Sequence, residues 1–170
     1  GPITGQYAAF GEQMVKGATM AVDEINAAGG VNGQKLQLIT GDDACDPKQA
    51  TAVANKMVSD KVVFVAGHFC SGSSIPASDV YKEGKILQIT PASTNVKLTD
   101  DAFAAGNTTV FRTCGRDDVQ GTTVGAYIIK YHKTGRIAVL HDKSPYGKGV
   151  ADETVKALRA EGYRVVLVNS

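Results

Sequence analysis

Val62-Val63-Phe64-Val65-Ala66 runs directly into Gly67-His68-Phe69-Cys70-Ser71-Gly72-Ser73-Ser74. The apolar part is short, unbroken and rich in β-branched side chains, the pattern of a strand buried on both faces. The polar part is glycine, serine and other small residues, which make a turn and then open a helix. Strand, turn and helix in that order is half of a βαβ unit, and the same alternation extends in both directions. Residues 10–28 carry Met14, Ala18, Ala21, Val22 and Ile25 at helical spacing, and Gly29-Gly30 stops that helix. Residues 36–40 read as a strand. Asp46-Pro47 starts a helix that reaches about residue 59, because aspartate accepts from open amides and proline sits where no donor is needed. The helix that opens after Ser71 lasts to about Tyr81, and residues 86–90 form the next strand, ended by Pro91. Residues 93–109, rich in Thr, Asp, Asn and Ala, read as a looser stretch, with 110–112 a short strand. A helix over 117–131, a strand over 136–140, a helix over 147–160 and a strand over 164–168 complete the pattern. Such alternation predicts parallel strands with crossover helices, a doubly wound α/β arrangement. A boundary between two α/β units falls within 108–118.

Composition narrows the function. The chain has 170 residues, with 18 Lys and Arg against 17 Asp and Glu, 43% apolar and 21% charged residues. That excludes a disordered chain, which would be poor in apolar residues and strongly charged. A net charge of +1 supplies no basic face, so no nucleic acid is expected among the partners. No apolar run approaches the about 20 residues of a membrane span, and no leader segment is read in these residues. Cys45, Cys70 and Cys114 show neither a CxxC pair nor zinc spacing with a histidine, so no metal is expected. They leave two readings open. One disulfide with one leftover thiol would imply an oxidising compartment, and a bridge from Cys45 to Cys70 would contribute about 3–4 kcal/mol in the chain-entropy account. Three buried free cysteines is the other reading.

Ligands of such folds sit beyond the carboxyl ends of the strands, so the turns there carry the functional reading. Gly67 to Ser74 has the glycine spacing of a phosphate loop, but Ser73 stands where that loop needs lysine. Nucleotide hydrolysis is therefore not expected. Hydroxyls and open amides at a helix start instead suit a carboxylate, with the helix dipole adding attraction. Capping alone is the alternative role for Ser71 and Ser74. After the next strand, Pro91-Ala92-Ser93-Thr94 offers carbonyls and hydroxyls, acceptors that suit an ammonium group. A carboxylate site beside an ammonium site is what an amino acid requires. Tyr146 lies in the corresponding turn of the second unit and can close over a ligand. His141-Asp142 lacks a nucleophile elbow, and Gly147-Lys148-Gly149 fails the dinucleotide fingerprint because Asp152 takes the third glycine position. No enzyme chemistry and no cofactor follow from these residues.

Four stretches together resemble the periplasmic leucine/isoleucine/valine-binding family, the substrate-binding proteins of ABC importers with the type I fold. They are Ala21 to Asn26 with Gly29 to Gly33; Asp42-Asp43-Ala44-Cys45-Asp46-Pro47 with Lys48 to Ala50; Gly67 to Ser71 with Pro76 to Asp79; and His141-Asp142-Lys143 with Tyr146-Gly147. The resemblance implies a Cys45–Cys70 disulfide, leaving Cys114 unpaired. It implies that Ser71 binds the ligand carboxylate and that Ala92 accepts the ammonium through its carbonyl. Thr94 would serve both ends, within a turn that also contains Ser93. Phe10 would take an aromatic position near the ligand side chain, and Tyr146 would close from the second lobe. Phe69 stands where leucine-binding relatives tend to have a smaller aliphatic residue, so alanine, proline, valine or γ-aminobutyrate is expected as ligand. The resemblance further implies a periplasmic location and a permease of the inner membrane as partner. It places residues 1–113 in a first lobe lacking its first strand and residues 114–170 at the beginning of a second lobe. The chain would then be incomplete, with the remainder of the parent chain as its structural partner. A ligand-sensing regulatory domain of the same fold is the alternative reading.

Overall fold

The computed structural model describes residues 1–132 and 134–169, with the backbone alone at 167–169. Helices and strands alternate: α1 (Ala8–Ala27), α2 (Pro47–Ser59), β1 (Phe64–Ala66), α3 (Ser71–Glu83), β2 (Leu87–Thr90), α4 (Lys97–Ala104), β3 (Val110–Arg112), α5 (Asp117–Tyr131), β4 (Ile137–Leu140), α6 (Pro145–Ala160) and β5 (Val165–Asn169). One sheet has the order β1-β2-β3 and a second pairs β4 with β5, all parallel. The doubly wound pattern read from the alternation is therefore present in two consecutive units.

Local chemistry explains most boundaries. Asp46 caps α2 by accepting from the Gln49 amide at 2.8 Å, with Pro47 in the first helical position. The same device starts α6: the Ser144 hydroxyl accepts from the Gly147 amide at 2.9 Å ahead of Pro145, so this helix begins two residues earlier than the glycines suggest. The core of the first unit gathers Ala54, Met57, Ala77, Tyr81 and Ile86 between α2, α3 and the start of β2. A smaller cluster of Leu98, Ala102 and Val110 sits under α4. In the second unit α5 and α6 pack closely because Gly121 and Gly125 admit the α6 backbone; a Cβ at Gly121 would lie 2.5 Å from the Glu153 carbonyl carbon.

Three expectations are corrected. Residues 36–40 form no strand and pair with none among the described residues. They are held instead by Asn26, whose side chain bonds the Leu36 amide (2.7 Å) and carbonyl (2.9 Å). The run at 62–66 is not buried on both faces. β1 is an edge of its sheet, Val63 is 82% exposed and Phe64 is 46% exposed. The apolar stripe of α1 shares this condition, since Gly11 is the one buried residue of that helix. Finally, the loose stretch contains α4. Asp100 lies in its first turn, and Leu98 and Ala102 face inward at a spacing of four.

A polar knot locks the loop before α2 to the turn after β1. The Cys45–Cys70 disulfide joins them, with Cα atoms 5.5 Å apart. Beside it, Asp43, His68 and Tyr81 are all essentially inaccessible. His68 Nδ1 bonds Asp43 Oδ2, and Nε2 lies 3.0 Å from the Tyr81 hydroxyl. Asp43 Oδ1 also accepts from the Cys45 amide at 2.9 Å. Burial pushes the Asp43 carboxyl up, but the His68 hydrogen bond and its other donors outweigh it, so the group lies below the ordinary aspartate range. A depressed carboxyl contributes stability above its unfolded pKa of about 4 and loses it as pH falls through the native value. Asp43→Ala should destabilise the protein by about 3–5 kcal/mol in urea denaturation at pH 7, because it strands His68. The acid-side loss of stability should be smaller in this variant than in the wild type.

Candidate functional site

β1 and β2 pair with Val65 opposite Gln88 and Ala66 opposite Ile89, so their carboxyl ends lie side by side. The two turns singled out from the sequence therefore meet. The Thr90 hydroxyl donates to the His68 carbonyl at 2.6 Å and accepts from the amides of Ala92 and Ser93. The Ser93 hydroxyl donates to the Phe69 carbonyl at 2.9 Å and lies 2.7 Å from the Ser74 hydroxyl. From the far side Arg112 donates to the carbonyls of Ser93 (2.8 Å) and Asn95 (2.9 Å) and to the Thr99 hydroxyl.

Ser71 is the first residue of α3 and is buried; its hydroxyl accepts from the Asn95 amide at 3.3 Å. Cys70 precedes it in an extended conformation and caps nothing with its sulfur, which is in the disulfide. The Ser73 and Ser74 amides donate to the Cys70 carbonyl at 2.9 Å each, which leaves those of Ser71 and Gly72 for an acceptor from elsewhere. Ala92 is half-buried. The Thr94 hydroxyl is buried and makes no well-formed hydrogen bond among the described residues. Ser93 behaves differently. Its side chain is inaccessible and its hydroxyl, amide and carbonyl are all bonded within the protein, so it braces the turn. Phe10 and Phe69 stack with ring centroids 4.9 Å apart and planes 19° from parallel. Phe69 is neither core nor isolated; with Phe10 it builds an aromatic wall at the amino end of α1.

The second unit meets these turns through the start of α6. The Asn95 side-chain amide donates to the Pro145 carbonyl at 2.6 Å, and Pro145 packs over Gly72. Tyr146 follows, 48% exposed.

One residue that the turn chemistry did not single out belongs here. Asp117, the first residue of α5, is inaccessible, and its amide donates to the Thr94 carbonyl at 3.0 Å. Its Oδ1 accepts a long bond from Gln120, while Oδ2 has no partner among the described residues. Burial pushes this carboxyl up, partly offset by the facing Thr94 hydroxyl and by Arg112. The Asp117-Asp118 pair at a helix start reads as dipole compensation, so only the fold reveals which carboxylate turns inward.

Other readings find local explanations. Asp42 accepts from the amides of Ile3, Thr4 and Ala44. His141 accepts from the Lys143 amide, within its own turn. The Cys114 sulfur lies 3.6 Å from the Ser93 carbonyl, and burial pushes its thiol up, away from reactivity.

Paired polar turns at the carboxyl ends of adjacent parallel strands lie where open α/β sheets place their ligands. Residues 1–169 match the family described as periplasmic binding protein. The chain is 52% identical over 168 residues to an amino acid binding protein of Pseudomonas aeruginosa, and 52% identical over 166 residues to a Leu/Ile/Val-binding protein homolog of Brucella abortus. Each match covers 98% of this chain and 44% of the relative, so the chain spans less than half of their length. A leucine-binding protein from Thermotoga maritima superposes with a TM-score of 0.87 at 26% identity, over 99% of this chain and 47% of that one. The chain belongs to the periplasmic binding protein family.

The Ser93 relay gives a direct check. Ser93→Ala would leave the buried Ser74 hydroxyl and Phe69 carbonyl short of a partner, and should reduce stability by about 1–3 kcal/mol in equilibrium denaturation.

Proposed function

We propose that this chain is the ligand-gripping lobe, with the opening of the second lobe, of a substrate-binding protein that delivers an aliphatic amino acid to an ABC importer. The carrying observation is charge complementarity across one short gap. The amino end of α3, with Ser71, offers donors to a carboxylate. The neighbouring turn offers acceptors to an ammonium: the Ala92 carbonyl, the Thr94 hydroxyl and, behind it, the unpartnered Asp117 Oδ2. A free amino acid presents both charges two bonds apart. Names of the relatives, which bind amino acids or Leu, Ile and Val, support the same ligand class. Tyr146 closes from the second lobe, which begins after residue 113, and the remainder of the parent chain, including its first strand, completes both lobes. The partner is a permease of the inner membrane, and the setting is periplasmic, in keeping with the Cys45–Cys70 disulfide.

The Phe10–Phe69 wall narrows the side-chain end of the site and favours alanine, proline or valine over leucine, whereas γ-aminobutyrate, with its charges four bonds apart, matches the short gap less well. Ser93 is kept out of the contact set because its polar groups are already used.

Calorimetry of the complete protein against amino acids tests the reading; no heat with any aliphatic amino acid would overturn it. Asp117→Asn should weaken affinity by about ten- to a hundredfold, since it removes a charged acceptor of the ammonium. A carboxyl whose native pKa is raised makes the ionised form a burden above that pKa. The same variant should therefore melt at or above the wild-type temperature near pH 7, separating loss of binding from loss of fold. Phe69→Leu should raise leucine affinity relative to alanine by about tenfold, the scale of one or two methylenes in an apolar pocket.

A further inference from the structure

The contact between the two units is built from residues that have no place in the ligand set. Asn95 is its centre. Its amide donates to the Ser71 hydroxyl, and its carbonyl is held by Arg112. Its side-chain oxygen accepts from the Lys97 amide at 2.9 Å, which fixes the rotamer and aims the side-chain nitrogen at the Pro145 carbonyl, 2.6 Å away in the first turn of α6. Two glycines make room for that approach. A Cβ on Gly149 would lie 2.7 Å from Asn95 Nδ2 and 2.5 Å from Asp117 Oδ2. A Cβ on Gly72 would lie 3.0 Å from Pro145 Cγ. Neither glycine has a positive φ, so close approach, not backbone conformation, is what each position requires.

We propose that Asn95, seated against Gly149 and Gly72, is the latch that holds the first turn of α6 over the ligand turns and so sets how long a bound amino acid stays. This rests on the amino-acid-binding reading above. Asn95 touches no ligand in that reading; it is a positioning residue. It joins Ser71, on the carboxylate side, to Pro145, whose neighbour Tyr146 closes the site. Releasing the ligand requires the α6 turn to lift, and lifting it breaks the Asn95–Pro145 bond. Loss of the latch therefore acts on the open–closed equilibrium, and in the rates it appears as faster dissociation.

The test uses stopped-flow fluorescence and small-angle X-ray scattering on the complete protein with alanine and valine. Asn95→Asp keeps the acceptor for the Lys97 amide and sets a carboxylate oxygen against the Pro145 carbonyl in place of the donor. Its dissociation rate should rise by at least about three- to tenfold, the loss of one hydrogen bond with repulsion added to it. Gly72→Ala presses on Pro145 from the other side, its Cβ 3.0 Å from Pro145 Cγ, and meets neither Asn95 nor Asp117; it should show the same faster dissociation and a reduced ligand-induced decrease in radius of gyration. A merely structural role would lower the melting temperature and leave both the dissociation rate and the scattering change at their wild-type values. That outcome overturns the latch. A wild-type protein that binds neither amino acid overturns the functional reading, and the latch with it.

Discussion

The in-register parallel pairing of β1 with β2 is the constraint on which the site depends. It ends both strands at one level, so the turns after Ala66 and Thr90 have to share a small volume. Polar backbone in that volume must be satisfied internally, because little water reaches it. The solution is a set of short hydroxyl side chains. Thr90 ties its own turn to His68, and Ser93 ties to Phe69 and Ser74. Both are inaccessible and spend their bonding capacity on the scaffold. Ser71 and Thr94 are of the same chemical type, yet they stand at the edge of this network with capacity to spare. Residue type alone does not separate the two roles; position in the hydrogen-bond network does.

Beneath the turns the Asp43–His68–Tyr81 knot and the disulfide act on the same object from the other side. They hold His68 and Cys70, which bracket Phe69, so the aromatic wall is fixed at both of its chain neighbours. A buried charged group without a partner is expensive, and each member here has one. The network therefore restricts the turn to one arrangement.

Local signals carried the element order and both turns into the sequence reading. Asp46-Pro47 announced α2 because a cap and a proline act within four residues, and Ser144-Pro145 carries the same message for α6. Phe69 was singled out through the family resemblance, and its stacking on Phe10 came only with the fold. What escaped depends on distance along the chain. His68 finds Asp43 25 residues away, and Asp117 finds Thr94 only after a crossover through α4 and β3. The strand expected at 36–40 escaped for a different reason. Its composition favours extension, but a strand is defined by a partner that composition does not supply. Val63 and Phe64 follow the same logic, since an apolar run states a preference for burial and not the presence of something to be buried against.

The inward carboxylate of Asp117 is best understood by what it lacks. Its neighbour Arg112 sits close enough to lower its pKa, yet its terminal nitrogens donate to the carbonyls of Ser93 and Asn95 and to Thr99, and its Nε has no partner among the described residues. Had the guanidinium turned to the carboxylate, the pair would be satisfied and the loop would lose its clamp. Instead the cation orders the turn after β2, and the Asp117 carboxyl is left with an oxygen that has no well-formed bond among the described residues. Its desolvation penalty is offset only in part, by the facing Thr94 hydroxyl and by Arg112, so the buried carboxyl costs stability.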